Sequence, residues 1–215
     1  MPVKKKDKYA AKIEVLKEWL TDLDNPRSVE ALEFAVKSHK GQFRKPVKDK
    51  VPYINHPVNM VYHALSLGIE NDDVIAAILL HDVVEDCGVA LEDLPCSKDT
   101  RRWVGLLTKN KDNYSADEYY AAIAADPKAS LIKCLDRVHN LSEAAYGFRS
   151  VKKVRRYAEE TRMYYDPLIQ TILSYPFAMY RRAAWLLNYQ MLGLVRTIMT
   201  LTEPSSAVQE ESARS

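Results

Sequence analysis

At 215 residues with a formal net charge of +2, the chain is long enough to bury a sizeable core but carries no global field of the kind that draws nucleic acid. Its 47% hydrophobic and 28% charged content, with only 6 Gly, is ordinary for a globular protein and leans towards helix. The 3 cysteines (Cys87, Cys96 and Cys134) are odd in number and lack CxxC spacing, which argues against a disulfide framework or a zinc–thiolate centre. Free thiols point to a reducing, cytoplasmic setting. The Lys-rich N-terminus has no apolar h-region and no run approaches about 18 apolar residues, so neither a secretory signal nor a membrane span is expected. Basic clusters such as Lys152-Lys153 and Arg181-Arg182 read as solvated helix faces.

Tyr9, Ile13, Leu16, Trp19 and Leu20 recur at helical spacing over residues 8–20, and Leu23-Asp24-Asn25-Pro26 closes that helix with turn chemistry. A second helix stops before Gly41. Pro46, Pro52 and Pro57 then break any helix across a loop holding Arg44, Lys45, Tyr53 and His56. Val58 to Leu67 returns to helix with Gly68 as its C′ residue, and Asp72-Asp73 opens the next, where acidic residues suit the helix dipole. After a connector and a short helix over Arg102–Leu107, Ser115-Ala116-Asp117-Glu118 resembles a capping box. Helices are predicted from Tyr119 to Ala125, Pro127 to Tyr146, Val151 to Tyr165 and Phe177 to Leu201. No alternating β pattern of useful length and no internal repeat occurs. The fold class is all-α, a bundle of roughly eight to ten helices.

The helix Ala76–Asp86 ends in four chemistry-bearing residues. On one continuous helix Asp82 and Asp86 share a face, as do His81 and Glu85. A frayed, wet helix end would carry the same residues, so the rest of the chain decides. His56 lies in the proline-bracketed Asn55-His56-Pro57, and Asp136 sits on a second apolar helix with Asn140 one turn on. Two imidazoles and two carboxylates suit a divalent first-row cation, Mn²⁺ or Fe²⁺ at least as well as Zn²⁺.

The series His56…His81-Asp82…Asp136 resembles the H…HD…D signature of the HD-domain metal-dependent phosphohydrolases. Ala35 to Lys45, Pro52 to Pro57, His81 to Asp86, Leu107 to Lys109, Asp136 to Leu141 and Arg155 to Thr161 are more closely similar to the RelA/SpoT-type alarmone hydrolase domain. The likeness runs over about residues 28 to 170 and implies a stand-alone small alarmone hydrolase with no synthetase domain. It implies that His56, His81, Asp82 and Asp136 hold one Mn²⁺, and that Glu85 and Asp86 handle the attacking water. Arg44 and Lys45 would contact base and phosphates, Asn140 the sugar or a phosphate, Lys153 and Tyr157 the 5′ phosphates and ribose, and Lys109 or Lys111 another phosphate. The reaction implied is removal of the 3′-pyrophosphate from (p)ppGpp, (p)ppApp or both.

Two rival readings stand beside it. One is an NADPH 2′-phosphatase or other HD nucleotide phosphohydrolase using the same site. The other is a non-catalytic module that binds alarmone or neutralises a toxin, against which the complete set of six acidic and imidazole groups argues. His39 and His139 read as residues supporting the site or packing, and His63 as structural. The basic stretch Pro46–Val51 beside the expected base pocket leaves guanine or adenine preference open. By domain, residues 1–27 form an N-terminal helix packing on the HD domain at 28–175, 176–202 a C-terminal helix, and 203–215 a disordered tail. The apolar stripe through Met179, Trp185, Leu187 and Met191–Val195 reads as helix packing, with a homo-oligomer contact as the other use.

Overall fold

The computed structural model describes residues 8–44, 50–109, 114–144 and 150–203. Ten α-helices follow one another there: α1 (Lys8–Asp22), α2 (Pro26–Ser38), α3 (Asn55–Ser66), α4 (Asp72–Leu80), α5 (Val83–Cys87), α6 (Lys98–Leu107), α7 (Ala116–Ala124), α8 (Pro127–Ser142), α9 (Val151–Ser174) and α10 (Ala178–Leu201). Among the described residues the only β pairing is an isolated antiparallel bridge between Phe43 and Pro52. The bundle is all-α.

Two helices are buried on all sides and everything else is arranged around them. In α4 every residue from Val74 to Leu80 is fully buried, enclosed by α2, α3, α6 and α8. In α8 the run from Ala129 to Val138 is buried without interruption and includes Ser130, Lys133, Asp136 and Arg137. A helix that is buried all round must pair each polar side chain it carries. The site grows out of that requirement.

Caps set the directions of these helices. Asn71 caps α4 through Val74 N–H, and Asp126 caps α8 by accepting from Lys128 and Ala129 N–H. The first turn of α2 receives no bond from its own Asn25 side chain. Instead Asp72, at the start of α4, accepts from Arg27 N–H at 3.1 Å, from Ser28 N–H at 2.7 Å and from Ser28 O–H at 2.6 Å. The acidic start of α4 therefore also satisfies the orphan donors of α2 and locks the two helix ends together.

Four boundaries differ from the sequence expectation. Helix α3 starts at Asn55, ahead of the expected Val58, so His56 lies in its first turn and not in the preceding loop. The helix through His81 is not continuous: α4 stops at Leu80 and α5 restarts at Val83. Helix α6 begins at Lys98, capped by Ser97. Helix α9 runs through Pro167 to Ser174, about two turns past the expected end, because its last turns bury Leu168, Ile169 and Ile172. The end of the predicted Pro127–Tyr146 helix falls partly outside the described residues, as does the tail from 204 on.

Helix α1 packs on α2 and α3, and α10 on α8 and α9. The α10 stripe divides into two faces. Leu187, Met191 and Val195 are buried against the bundle, whereas Trp185 and Tyr189 are 70% and 77% exposed, beside exposed Leu186 and Leu192.

Asp72→Ala removes three acceptor contacts at once from a packed helix junction, and should cost about 2 kcal/mol of stability. Urea denaturation of the variant measures this; an unchanged midpoint would show that water replaces the cap.

Candidate active site

The break after Leu80 is what builds the site. Asp82 has φ −102° and ψ −4°, the sparsely used bridge region where active-site residues are often found. The turn lets an apolar, fully buried helix end in a His-Asp pair without running charge along its axis. Consequently His81 and Glu85 do not share one continuous helix, whereas Asp82, the N-cap of α5, keeps the expected i,i+4 relation to Asp86, whose N–H donates to the Asp82 carbonyl at 2.9 Å.

Helices α3, α4 and α8 bring the key side chains together. The ligand atoms of His56, His81 and Asp82 lie within 4.8 Å of one another. His56 Nε2 is 3.2 Å from Asp136 Oδ1, and the two histidine rings are 5.5 Å apart, centre to centre. His56, His81 and Asp136 are all buried.

Proton placement bears on what these side chains can hold. A carbonyl only accepts, so the 2.8 Å contact of His81 Nδ1 with Ile78 C=O fixes the proton on Nδ1. Nε2 then faces the Asp82 carboxylate across 2.9 Å without a well-aligned hydrogen bond. A lone pair and a carboxylate oxygen at that distance require a cation between them. Without metal that cation is a second proton: burial alone would lower the His81 pKa, but the Asp82 and Asp136 carboxylates raise it to about 9. Burial would raise the Asp82 pKa, and the His81 imidazole holds it far below the ordinary carboxylate range. His56 Nδ1 is a second buried ring nitrogen with no partner. The converging donors of His56, His81 and Asp82, with an orphaned nitrogen on each imidazole, fit a divalent metal ion.

Supporting contacts surround the ligands. Tyr53 donates its O–H to Asp82 Oδ2 at 2.6 Å and stacks on His39. Lys133 Nζ donates to Asp136 Oδ2 at 2.9 Å, and Asn140 Nδ2 donates to Asp136 Oδ1 at 2.5 Å. Arg44 donates to Asn140 Oδ1 and Glu143 Oε2. His139 packs edge-on to His56 and His63; burial, then the neighbouring imidazoles, lower its pKa to about 3.

The remaining expected site residues are spread unevenly. Glu85 accepts from Lys109 N–H at 3.4 Å, and Asp86 is exposed at the rim. The Lys109 ammonium lies over the Tyr114 and Tyr119 rings, where burial and then Lys133 lower its pKa. Tyr157 stacks against the Arg137 guanidinium at 3.6 Å. Lys153 is exposed on the first turn of α9. Lys45 and Lys111 lie outside the described residues.

Sequence reasoning overlooked Tyr53, Lys133 and Glu143. Each had a signal: Tyr53 precedes His56 by three, Lys133 is a lone ammonium in the apolar Leu131–Leu135 run, and Glu143 follows Asn140 by three on the same helix face.

No family model matches the chain. A guanosine-3′,5′-bis(diphosphate) 3′-pyrophosphohydrolase MESH1 from Xenopus tropicalis is 36% identical over 123 residues, covering 54% of this chain and 68% of the relative. The chain belongs to this pyrophosphohydrolase family. The human MESH1 is 33% identical with the same coverage. A protein of the same activity name from Aquifex aeolicus is 33% identical over 147 residues, 64% of this chain but only 20% of the relative's length. A solved structure described as a metazoan ortholog of SpoT superposes with a TM-score of 0.61 at 24% identity, over 76% of this chain and 94% of that one, which shows the shared fold.

Three outcomes follow for this member of the pyrophosphohydrolase family. Metal must displace the second His81 proton, so divalent-metal affinity should rise roughly tenfold per pH unit between pH 6.5 and about 9 and then level off. Calorimetric titration in buffers of different ionisation heat should show about one proton released. By the same sign, the metal-free protein keeps the full stabilisation from charged His81 below its unfolded pKa near 6.5 and loses it as pH rises through about 9. Tyr53→Phe removes only the O–H that orients Asp82, and metal affinity should fall about 10- to 100-fold; unchanged binding would show that Asp82 needs no such support.

Proposed function

We propose that this protein is a metal-dependent 3′-pyrophosphohydrolase of purine alarmones, acting on (p)ppGpp, (p)ppApp or both in the cytoplasm. The observation that carries the reading is the convergence of His56, His81 and Asp82 ligand atoms within 4.8 Å, with Asp136 in contact with His56. The names of the relatives support the same reaction. His56, His81, Asp82 and Asp136 would hold one Mn²⁺, which fits a mixed nitrogen and oxygen donor set. When bound, the ion supplies Lewis-acid stabilisation of phosphoryl charge and makes water acidic enough to ionise near neutral pH.

The chain's own residues do the rest. Glu85 or Asp86 takes a proton from the attacking water as its oxygen bonds to the phosphorus next to the nucleotide 3′ oxygen. The bond between that phosphorus and the 3′ oxygen breaks, the 3′ oxygen regains a proton, and pyrophosphate leaves. Lys133 and Asn140 keep Asp136 from swinging out of line. Arg44, Lys109, Asn140, Lys153 and Tyr157 form the substrate-binding set, with Lys45 beside Arg44 in the sequence. Lys109, half-buried and close to Lys133 and Glu85, can offset charge that grows on the phosphates in the transition state.

Purified protein with Mn²⁺ should release pyrophosphate, not phosphate, from ppGpp or ppApp. Glu85→Gln should lower kcat about 10²- to 10⁴-fold with metal still bound, and Asp82→Ala should abolish turnover together with metal binding. Phosphate release from NADPH alone, or no hydrolysis of either alarmone by metal-loaded protein, would overturn the proposal.

A further inference from the structure

The ion pair between Arg44 and Glu143 has a geometry that a simple surface bridge would not need. Both groups are largely buried, with side-chain exposures of 16% and 15%. Arg44 Nε and Nη2 both donate to Glu143 Oε2, at 3.0 and 2.5 Å, and Nη2 also donates to Asn140 Oδ1 at 2.8 Å. Three of the five guanidinium N–H bonds are thus committed to protein acceptors. The Asn140 amide passes the constraint on, because its nitrogen donates to Asp136. One face of the guanidinium lies over the Tyr53 ring at 5.6 Å, and Tyr53 is itself bonded to Asp82. Arg44 is therefore tied to both ligand carboxylates by separate routes. Beside it opens a cavity of about 270 Å³ whose lining includes Lys8, Arg44, Glu143, Asn55 and Asn59.

We propose that Glu143 is a positioning residue that fixes Arg44 as a flat platform for the nucleobase and prevents it from acting as a fork for phosphate. The argument rests on the pyrophosphohydrolase reading above. A guanidinium recognises phosphate through paired N–H groups presented edge-on. Here that edge is filled by Glu143 and Asn140. The face turned away from Tyr53 remains, and a guanidinium plane stacks well on a purine. Glu143 also cancels the charge of Arg44, which weakens its pull on a distant phosphate while leaving its stacking surface intact.

The test is a double-mutant cycle on metal-free protein, read by calorimetric binding of ppGpp or ppApp and, separately, of inorganic pyrophosphate. Glu143→Ala should weaken nucleotide binding roughly tenfold or more and, because it frees the edge and the charge of Arg44, strengthen pyrophosphate binding. In an Arg44→Ala background the same change should have no further effect, since Glu143 acts through Arg44. Glu143→Gln, which keeps the acceptor, should restore most of the binding, and in turnover the loss should fall on KM more than on kcat. Thermal melts establish that each variant is folded. Additive losses in the cycle, or equal losses for nucleotide and pyrophosphate, overturn the role of Glu143 while leaving the pyrophosphohydrolase reading intact. Wild-type protein that binds and cleaves neither alarmone overturns that reading and this inference with it.

Discussion

The Asp136 carboxylate is the group on which the rest of the site depends. It sits in the middle of a helix enclosed on every side, where an unpaired charge would cost several kcal/mol. Lys133, His56 and Asn140 each contribute one contact to its two oxygens. Burial pushes its pKa up, but the Lys133 ammonium, followed by the histidines, holds it well below the ordinary range. The carboxylate is therefore charged and immobile before any ligand arrives. Such preorganisation is what a metal centre or a developing phosphoryl charge needs.

Two arms extend from that anchor. One runs through His56 to His81, Asp82 and Tyr53, and gathers donors from three helices and a loop. The other runs through Asn140 to Arg44 and Glu143, and carries the same rigidity to that ion pair. A third network lies one residue along α8. Arg137, 1% exposed, donates to Tyr165, Tyr120, Thr161 and Glu160 and is stacked on Tyr157. This guanidinium joins α7, α8 and α9. Helix α8 thus carries a polar spine in which every charged member has a partner, as its burial demands.

Much of this could be read from the residues. The helical spacing of apolar positions gave the all-α class and most helix centres. The pairing of imidazoles with carboxylates in apolar surroundings marked the metal-competent set, because such groups survive burial only when they bind something. The helix through His81 was harder. Periodicity rewards continuity, and nothing local announces that a chain will turn at Asp82. Likewise Pro167 is a break signal by itself, yet the apolar contacts of the last turns of α9 override it.

The sequence by itself determined which chemistry is available: the all-α architecture, and imidazole and carboxylate groups set in apolar helical surroundings. Those follow from side-chain type and short-range spacing. Only the tertiary structure decided how they are held: Asp72 capping a helix 45 residues away in sequence, Tyr53 bracing Asp82, and Glu143 occupying the edge of Arg44. Each of these joins elements far apart in the chain. Their partners are selected by how helices pack in three dimensions, and no local pattern records that choice.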